Sequence, residues 1–319
     1  MDSAADAALR DAFPDRTIEE TAVAGPSWNE KNETVKVTFT DGAVAYLKLA
    51  LDGKGRRIVR ERAVIEYVGA NGDVRAPDVI TSDADREIPY LATARMAGLP
   101  LWKPWDEADA AERERLLRHV GRALATLHAE RFEAHGRVVD GDADGLELDA
   151  GSWTDVLVDT IEEMRALAIS ERFEHHFDAV IEAVEENREV LEEAPAALLH
   201  GDPAAPNCML ADGDLGFVDW ERSHVGDPAR DLYRARNQQI DAIREASDER
   251  LVAALHDGYR EQADGLPDGY HERRPIYRAI RHLAVSGFFE NYLDYREESA
   301  DELAAWTSEE MDRRLDAIR

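Results

Sequence analysis

The stretch "LLHGDPAAPNCMLADGDLGFVDWERSHVGDPARDL", residues 198–232, places polar groups between short apolar segments. The segments "CML" and "LGFVDW" are typical of strands, and Asp212-Gly213 between them is typical of a two-residue turn, so the stretch predicts a hairpin. Pairing of the two strands returns Asp219, at the end of the second, to the side of Asn207. A core excludes unpaired polar groups. The stretch therefore predicts a functional site.

The polar groups of this stretch suit a magnesium-dependent reaction. The carboxylate of Asp219 and the amide oxygen of Asn207 are hard oxygen ligands of the kind Mg²⁺ takes. Asp202, on a loop with Pro203 and Pro206, remains to accept a proton from a hydroxyl nucleophile. Such a set fits phosphoryl transfer, in which the protein mainly positions groups and neutralises charge. The alternative is an Asx-rich turn in which Asp202 and Asn207 only cap backbone groups, and the position of Asp219 favours function.

The composition restricts the class of protein. The chain has 319 residues, 44% of them hydrophobic, which is enough for one large or two modest domains. It has no apolar run long enough to span a membrane, and its N-terminus does not look like a secretory signal. Cys208 is the single cysteine, which excludes an internal disulfide framework. We expect a cytoplasmic protein without a membrane partner.

The charge is strongly negative. The formal net charge is −30, from 68 acidic and 38 basic residues, and only five of the basic residues are lysines. Such a surface repels nucleic-acid phosphates, so nucleic-acid binding is not expected. Acidic residues are spread along the whole chain, as in a hydrated surface adapted to concentrated salt. We therefore expect a halophilic protein, the alternative being an ordinary acidic one.

The first hundred residues are strand-rich. Residues 34–50 alternate polar and apolar side chains around Asp41-Gly42, which predicts a hairpin, and residues 56–72 have the apolar spacing of a helix. A short helix is expected within 1–20, and a strand within 88–101.

The rest of the chain is mainly helical. Residues 107–132 predict a long amphipathic helix, 153–193 two more, and 240–319 mostly helix, with the 198–220 hairpin as the strands expected there. The Gly/Asp-rich segment 138–152 predicts a solvated loop; it lacks the final Glu of a calcium loop.

The predicted fold class is α+β, with a small β-rich lobe over residues 1–97 and a larger helical lobe over 98–319. A cleft between such lobes is where a ligand is expected.

The segments "LLHGDPAAPNCML", "GFVDWE" and "VGDPARDL" resemble the aminoglycoside phosphotransferase family of small-molecule kinases, relatives of the protein kinases. The resemblance implies a bilobal protein-kinase-like fold that uses ATP or GTP with Mg²⁺. It implies the following roles: Asp202 as catalytic base, His200 as a brace of the catalytic loop, Asn207 and Asp219 as magnesium ligands, and Asp227 and Asp231 as supports. Pro203, Ala204 and Pro206 depart from the family's usual loop, which leaves the acceptor open.

The resemblance also assigns nucleotide contacts in the small lobe. Lys48 in "YLKLA" matches the strand lysine that contacts phosphates, and Glu61 matches the carboxylate that orients it, with Glu66 as a competitor on another helix face. Gly25, Ser27 and Asn29 match a degenerate phosphate loop. The segment Arg95, Met96 and Ala97 matches the hinge that reads the base.

The acceptor segment is expected in "GFFENYLDYREESADEL". At helical spacing Phe288, Tyr292 and Tyr295 share one face, and Glu290, Asp294 and Glu298 share another. Aromatic and acidic groups together suit an amine-bearing acceptor. An aromatic stripe is also typical of a core.

Several functions are compatible with these residues. The leading interpretation is an aminoglycoside-phosphotransferase-like small-molecule kinase without an obligate protein partner. A metabolic sugar or choline-like amino-alcohol kinase is the nearest alternative. A catalytically silent nucleotide-binding regulator and a metal-dependent hydrolase are the others, and the combination of Lys48, Glu61, Asp202 and Asp219 argues against both.

Overall fold

The computed structural model describes residues 3–24, 31–72, 74–241, 247–294 and 298–319. The N-terminal elements are α1 (Ser3–Ala12), β1 (Ile18–Val23), β2 (Asn32–Phe39), β3 (Val44–Ala50), α2 (Arg56–Asn71), β4 (Val79–Asp83) and β5 (Tyr90–Ala94). The strands form an antiparallel sheet in the order β1-β2-β3-β5-β4. The hairpin predicted over 34–50 is confirmed, with Thr34 opposite Lys48.

The two sides of this sheet differ, because successive side chains of a strand point to opposite faces. Leu47 and Leu49 are fully buried in the cluster that α1 closes. Tyr46 and Lys48, between them in sequence, line the interlobe cleft instead. The strand β3 thus carries a polar cleft on one face and an apolar core on the other.

The C-terminal part is mainly helical with short strands. Its elements are β6 (Leu99–Pro100), α3 (Trp102–Glu107), α4 (Ala110–Leu127), β7 (His135–Asp142), β8 (Gly145–Gly151), α5 (Trp153–Leu167), α6 (Glu174–Glu186), α7 (Arg188–Glu192), β9 (Ala197–Leu199), β10 (Cys208–Ala211), β11 (Asp214–Phe217), β12 (His224–Gly226), α8 (Pro228–Gln239), α9 (Glu249–Gln262), α10 (Tyr270–Gly287), α11 (Phe289–Asp294) and α12 (Ala300–Asp316). Among the described helices, none is long and apolar enough to cross a membrane.

The helices α4 and α9 lie against each other at a crossing that requires glycine. A Cβ atom on Gly121 would lie 2.2 Å from the Leu255 carbonyl oxygen, and one on Gly258 would lie 2.2 Å from that of Arg118. The two backbones therefore approach more closely than any side chain would allow.

The hairpin of β10 and β11 is confirmed. Cys208 lies opposite Phe217, and the turn residues Asp212 and Gly213 have φ values of 54° and 88°, both in the left-handed region that a type I′ turn requires. On its other edge, β10 pairs with β6, where Met209 lies opposite Pro100. The segment that leaves the N-terminal sheet is therefore joined directly to the hairpin of β10 and β11.

Two predictions about the C-terminal part are wrong. Segment 138–152 is not a solvated loop: β7 and β8 pair across it, and β7 joins the sheet of order β8-β7-β12-β9. Its turn-forming composition is outweighed by strand pairing, because β7 and β8 pair with each other through Val138 and Leu148 and β7 continues into its pairing with β12 at Gly136 and Arg137. Residues 153–193 contain three helices rather than two, since the helical run breaks at Asn187.

Candidate active site

The carboxylate of Asp202 lies at the base of the cleft. Its Oδ1 accepts hydrogen bonds from Arg234, at 2.8 Å and 3.2 Å, and from Gln238 at 2.5 Å. Within the described chain no hydrogen bond reaches Oδ2, and this atom is not among the buried unpaired ones. Burial alone would raise the pKa of Asp202, but Arg234 and Arg222 hold it well below its ordinary value. Asp202 is therefore an anion with one oxygen open to a ligand.

The loop that carries Asp202 is fixed by Asp231. Both oxygens of Asp231 accept backbone hydrogen bonds, from the amides of His200 at 2.8 Å and Gly201 at 3.0 Å. His128, at the end of α4, also contacts Asp231 at 3.4 Å and Tyr259 at 3.1 Å. His128 is buried at this helix end, as expected of a packed histidine.

The buried ring of His200 connects the loop to the hairpin. Its Nε2 lies 3.1 Å from the Val218 carbonyl oxygen, and its Nδ1 accepts from the Asp202 amide at 3.2 Å. One nitrogen must donate and the other accept, which is the pattern of a neutral imidazole. Burial lowers the pKa of His200, in agreement with that state. His200 thus holds the loop without facing the cleft as an acid or base.

Asp227 joins α8 to α10 and makes no side-chain hydrogen bond to the loop within the described residues. It caps α8 through the Ala229 amide at 2.9 Å and pairs with Arg273 at 2.7 Å, where both side chains are fully buried. Tyr277 donates to the same carboxylate. Asp227 is therefore a structural group.

Asn207 lies between Asp202 and Asp219. Its side-chain nitrogen donates to the Asp202 carbonyl oxygen at 3.0 Å, and its own carbonyl oxygen accepts from the Val218 amide at 2.9 Å. The structure therefore places Asn207 next to the residue before Asp219, as the hairpin predicts. Its amide oxygen accepts no hydrogen bond from the described residues and remains available as a ligand.

A second cluster is centred on Lys48. The ammonium lies 2.8 Å from Glu61, 2.6 Å from Asp219 and 2.9 Å from Glu221. The three carboxylates each place an oxygen within 4.8 Å of the others. Asp219 adopts a φ of 66°, unusual for a residue with a side chain, and such conformations concentrate at functional sites. The competitor Glu66 pairs with Arg62 instead.

The charges of this cluster are unequal. Burial alone would lower the pKa of Lys48, but Glu61, Asp219 and Glu221 together raise it well above its ordinary value. Burial raises the pKa of Glu61 to about 7. One ammonium shared among three carboxylates leaves the most buried of them undercompensated. The cluster therefore has an excess of negative charge that a divalent cation would relieve.

The hinge segment reaches the cleft, whereas the phosphate loop lies outside the described residues, with Gly25, Ser27 and Asn29. Arg95 and Met96 line the cleft, and the Ala97 carbonyl oxygen accepts from Arg75 at 2.9 Å. The backbone of Arg75 also accepts from the Phe217 amide at 2.9 Å. Arg75 thus joins the predicted hinge segment to the hairpin of β10 and β11.

The clusters of Asp202 and Lys48 line one cleft of about 2610 Å³ between the lobes. Its far wall contains Phe288 and Tyr292 from the predicted acceptor segment. Glu290 is exposed and accepts from Ser170 at 3.1 Å, outside the lining. Tyr295 and the Asp294 side chain lie outside the described residues.

Comparison with known proteins identifies the family. A sequence profile of the phosphotransferase enzyme family (APH) matches residues 23–276. The chain belongs to this family. It is a small-molecule phosphotransferase with a protein-kinase-like fold. No curated protein matches the chain.

Three solved structures resemble this phosphotransferase over nearly their whole length. Aminoglycoside phosphotransferase APH(4)-Ia is 15% identical, with a TM-score of 0.63 over 99% of this chain and 97% of that one. A fructosamine-3-kinase candidate from Thermobifida fusca is 17% identical, with a TM-score of 0.62 over 98% and 97%. The streptomycin-ATP-APH(2")-IIa ternary complex is 14% identical, with a TM-score of 0.59 over 98% and 96%. At these identities the likeness shows the shared fold.

Three residues of the site did not emerge from the sequence. Glu221 lies two positions after Asp219 in "DWE". In a chain this acidic, the sequence does not distinguish it from a surface carboxylate. Arg234 and Gln238 are four apart on α8, a spacing that predicts a shared helix face but not its partner. That both bond Asp202 is decided by the packing of α8 against the loop.

Proposed function

We propose that this phosphotransferase moves the γ-phosphate of ATP or GTP to a hydroxyl group of a small molecule. The observation that carries the proposal is that the Asp202 cluster and the Lys48 cluster line the same cleft. Asp202 offers an open anionic oxygen, and Lys48 with its carboxylates lies across the same cleft. A hydroxyl acceptor needs the first environment and a nucleoside triphosphate the second, and phosphoryl transfer needs the two side by side.

The β-rich lobe, residues 1–97 including the hinge, is proposed to hold the nucleotide. Lys48 would contact its phosphates, and Glu61 orients the ammonium at 2.8 Å. Backbone groups of Arg95–Ala97 would face the base. Gly25, Ser27 and Asn29 are proposed as further phosphate contacts. Residues 98–319 would supply the catalytic loop and the acceptor site.

The residues present fit a magnesium ion. Asn207 and Asp219 are proposed as its ligands, and Glu221 is close enough to join them. The negative excess around Lys48 is the environment that favours a divalent cation with oxygen ligands. When bound, Mg²⁺ neutralises and positions the phosphate oxygens. The Asp202 side chain, held by Arg234 and Gln238, stays apart from that task.

Asp202 is proposed to position and deprotonate the acceptor. Its open Oδ2 would accept the proton of the acceptor hydroxyl as the new oxygen–phosphorus bond forms and the bond to the leaving nucleoside diphosphate breaks. A carboxylate with a depressed pKa is a weak base, so we expect it to act late, after the hydroxyl proton has become acidic. His200 fixes the loop that aims this carboxylate.

The first test is Asp202→Asn. General-base groups contribute about 10²–10⁴-fold to rates, so we expect a loss of transfer in that range with nucleotide binding retained. Asp214→Asn, on the exposed start of β11, is the matched control. Transfer by Asp202→Asn within twofold of the wild type would contradict the role of base.

An acceptor screen separates the competing functions. Nucleotide consumption is measured with Mg²⁺ against amino sugars, neutral sugars, choline-like alcohols and nucleosides. Phosphate release that needs no acceptor would indicate a hydrolase, and binding without turnover would indicate a regulator. The amine-bearing acceptor stays a prediction that this screen tests, and of the predicted aromatic face Phe288 and Tyr292 line the cleft.

A further inference from the structure

The charge of the cleft is opposite to that of the chain. Among the described residues that line it, 17 are lysine or arginine and eight are aspartate or glutamate. The whole chain has 38 basic and 68 acidic residues. A surface adapted to salt explains neither the sign nor the location of this cluster, because such a surface places acid toward solvent. The cleft lining therefore reflects what the cleft holds.

The excess of arginine is concentrated on three helices of the C-terminal part. The lining takes three arginines from α8, three from α10 and two from α12, whereas Glu310 is the single acidic residue that these described helices contribute to it. We call this surface the arginine wall. It adjoins Asp202, which its Arg234 bonds at 2.8 Å.

Part of the arginine wall is already neutralised. Arg234 pairs with Asp202, Arg236 with Asp241, and Arg314 with Glu310. Arg230 and Arg281, in contrast, form no ion pair with any carboxylate of the described residues. An unpaired cation that is partly removed from water is costly, so these two positions are the ones at which an anion gains most.

Arg281 and Arg230 are held by neutral groups. The Arg281 Nε donates to the Asn237 side-chain oxygen at 2.7 Å, and Arg230 Nη1 lies 2.7 Å from His224 Nε2. Burial and then the nearby Arg234 lower the pKa of each to about 10. Both guanidinium groups are thus fixed in place and still cationic at neutral pH.

A small cavity connects these arginines. It has a volume of about 20 Å³ and opens between α5, α8 and α10, with a lining of Met164, Arg230, Tyr233, Arg234, Tyr277, Ile280 and Arg281. A cavity of this size holds about one water-sized group, such as an anionic oxygen. Arg234 lines the cavity and also bonds Asp202, so the cavity is one side chain away from the catalytic carboxylate.

We infer that the acceptor is an anion: a hydroxyl compound with a carboxylate or phosphate group that Arg281 and Arg230 bind while its hydroxyl faces Asp202 Oδ2. This inference rests on the proposed phosphotransfer and names its acceptor class. Arginine suits both anions because its planar donors match carboxylate and phosphate oxygens. An amine-bearing acceptor would meet the arginine wall, while Glu290 is turned away from the cleft toward Ser170.

The experiment uses four compounds with one three-carbon skeleton. Glycerate provides a carboxylate, glycerol 3-phosphate a phosphate, glycerol no charge, and 3-amino-1,2-propanediol an ammonium group. Each is titrated calorimetrically into the full chain saturated with Mg²⁺ and AMP-PNP, at one fixed KCl concentration. The AMP-PNP occupies the phosphate positions beside Lys48, so an added anion must bind elsewhere.

Variants assign the binding to the arginine wall. Arg281→Gln should weaken the anionic compounds by about tenfold or more, as expected for loss of a hydrogen bond to a charged group, and Arg281→Lys should weaken them less. Arg260→Gln, on the outside of α9, is the control and should change nothing. Thermal melts verify that each variant is folded.

Each outcome decides the inference. Binding of glycerate alone identifies a carboxylate site, and binding of glycerol 3-phosphate alone a phosphate site. Tighter binding of the ammonium compound, equal anion affinity in Arg281→Gln, or no anion binding at millimolar concentration would overturn it. Failure of AMP-PNP to bind in the first step would instead count against the proposed phosphotransfer.

Discussion

The two sides of the cleft have opposite charge balances. Around Lys48, three carboxylates surround one ammonium group, and the side chains lie within 3 Å of it. On the arginine wall, guanidinium groups outnumber carboxylates, and Arg230 and Arg281 lack an ion-pair partner among the described residues. The excess of carboxylates around Lys48 favours binding of a cation, and the excess of guanidinium groups on the arginine wall favours binding of an anion. The difference shows that a strongly acidic chain can still build a basic site, because local packing decides which charges meet.

Removal of Asp219 should have the largest effect on ligand binding at the Lys48 side of the cleft. Asp219→Ala takes away a proposed magnesium ligand, so we expect affinity for the magnesium–nucleotide complex to fall by at least about tenfold, with little change in metal-free binding. Calorimetric titration with Mg²⁺ and with EDTA measures the difference. Asp214→Ala on the same hairpin should behave as the wild type. Unchanged affinity and stoichiometry would remove Asp219 from the metal site.

Removal of Lys48 should weaken contacts to the nucleotide phosphates and leave contacts to the base unchanged. Lys48→Ala deletes the ammonium group, so we expect ATP to bind several-fold more weakly while adenosine is little affected. The fold should also lose stability, because Glu61, Asp219 and Glu221 would face each other without a counter-charge. Comparing ATP with adenosine on this one variant separates the loss of phosphate contact from the loss of stability. Lys54→Ala, on an exposed turn, is the control, and an equal loss for ATP and adenosine would contradict phosphate contact.

Added salt should raise the stability of the acidic protein and weaken the binding of anions in the cleft. Screening shortens the reach of a charge from about 10 Å at 0.1 M to about 3 Å at 1 M. Repulsion among surface carboxylates should therefore weaken, and the melting temperature should rise by several degrees from about 0.1 M to about 2 M KCl. Binding of anions to the arginine wall should weaken over the same range. A flat or falling melting temperature would contradict the predicted adaptation to salt and leave the proposed phosphotransfer untouched.

The hairpin of β10 and β11 was predictable because its signals are local. Asp212-Gly213 sets the turn, the turn sets the register, and the register brings Asn207 next to Val218 and Asp219. The contact of Lys48 with Glu61 was also anticipated, but from family resemblance, since a strand residue and a helix residue 13 positions apart carry no pairing signal of their own.

Sheet partners in the larger lobe were not predictable in the same way. The segment that forms β7 and β8 has a loop-like composition, and it becomes part of a sheet through the pairing of β7 with β8 and of β7 with β12. A strand needs its partners to be stable, and those partners are distant in sequence. The same holds for Asp231, whose role depends on two backbone amides that lie about 30 positions away.

The sequence by itself determined the hairpin, the positions of Asp202, Asn207 and Asp219 on it, the negative overall charge and the two-lobed order of elements. These follow from short-range spacing and from composition. Only the tertiary structure decided that Arg234 and Gln238 hold Asp202 by one oxygen, that Glu221 joins the cluster at Lys48, and that arginines from three helices line one cleft. The arginine and glutamine contacts depend on which faces of α8, α10 and α12 turn inward, and the Glu221 contact depends on how β3 lies against the segment after β11. Both are set by the packing of elements that are far apart in the chain.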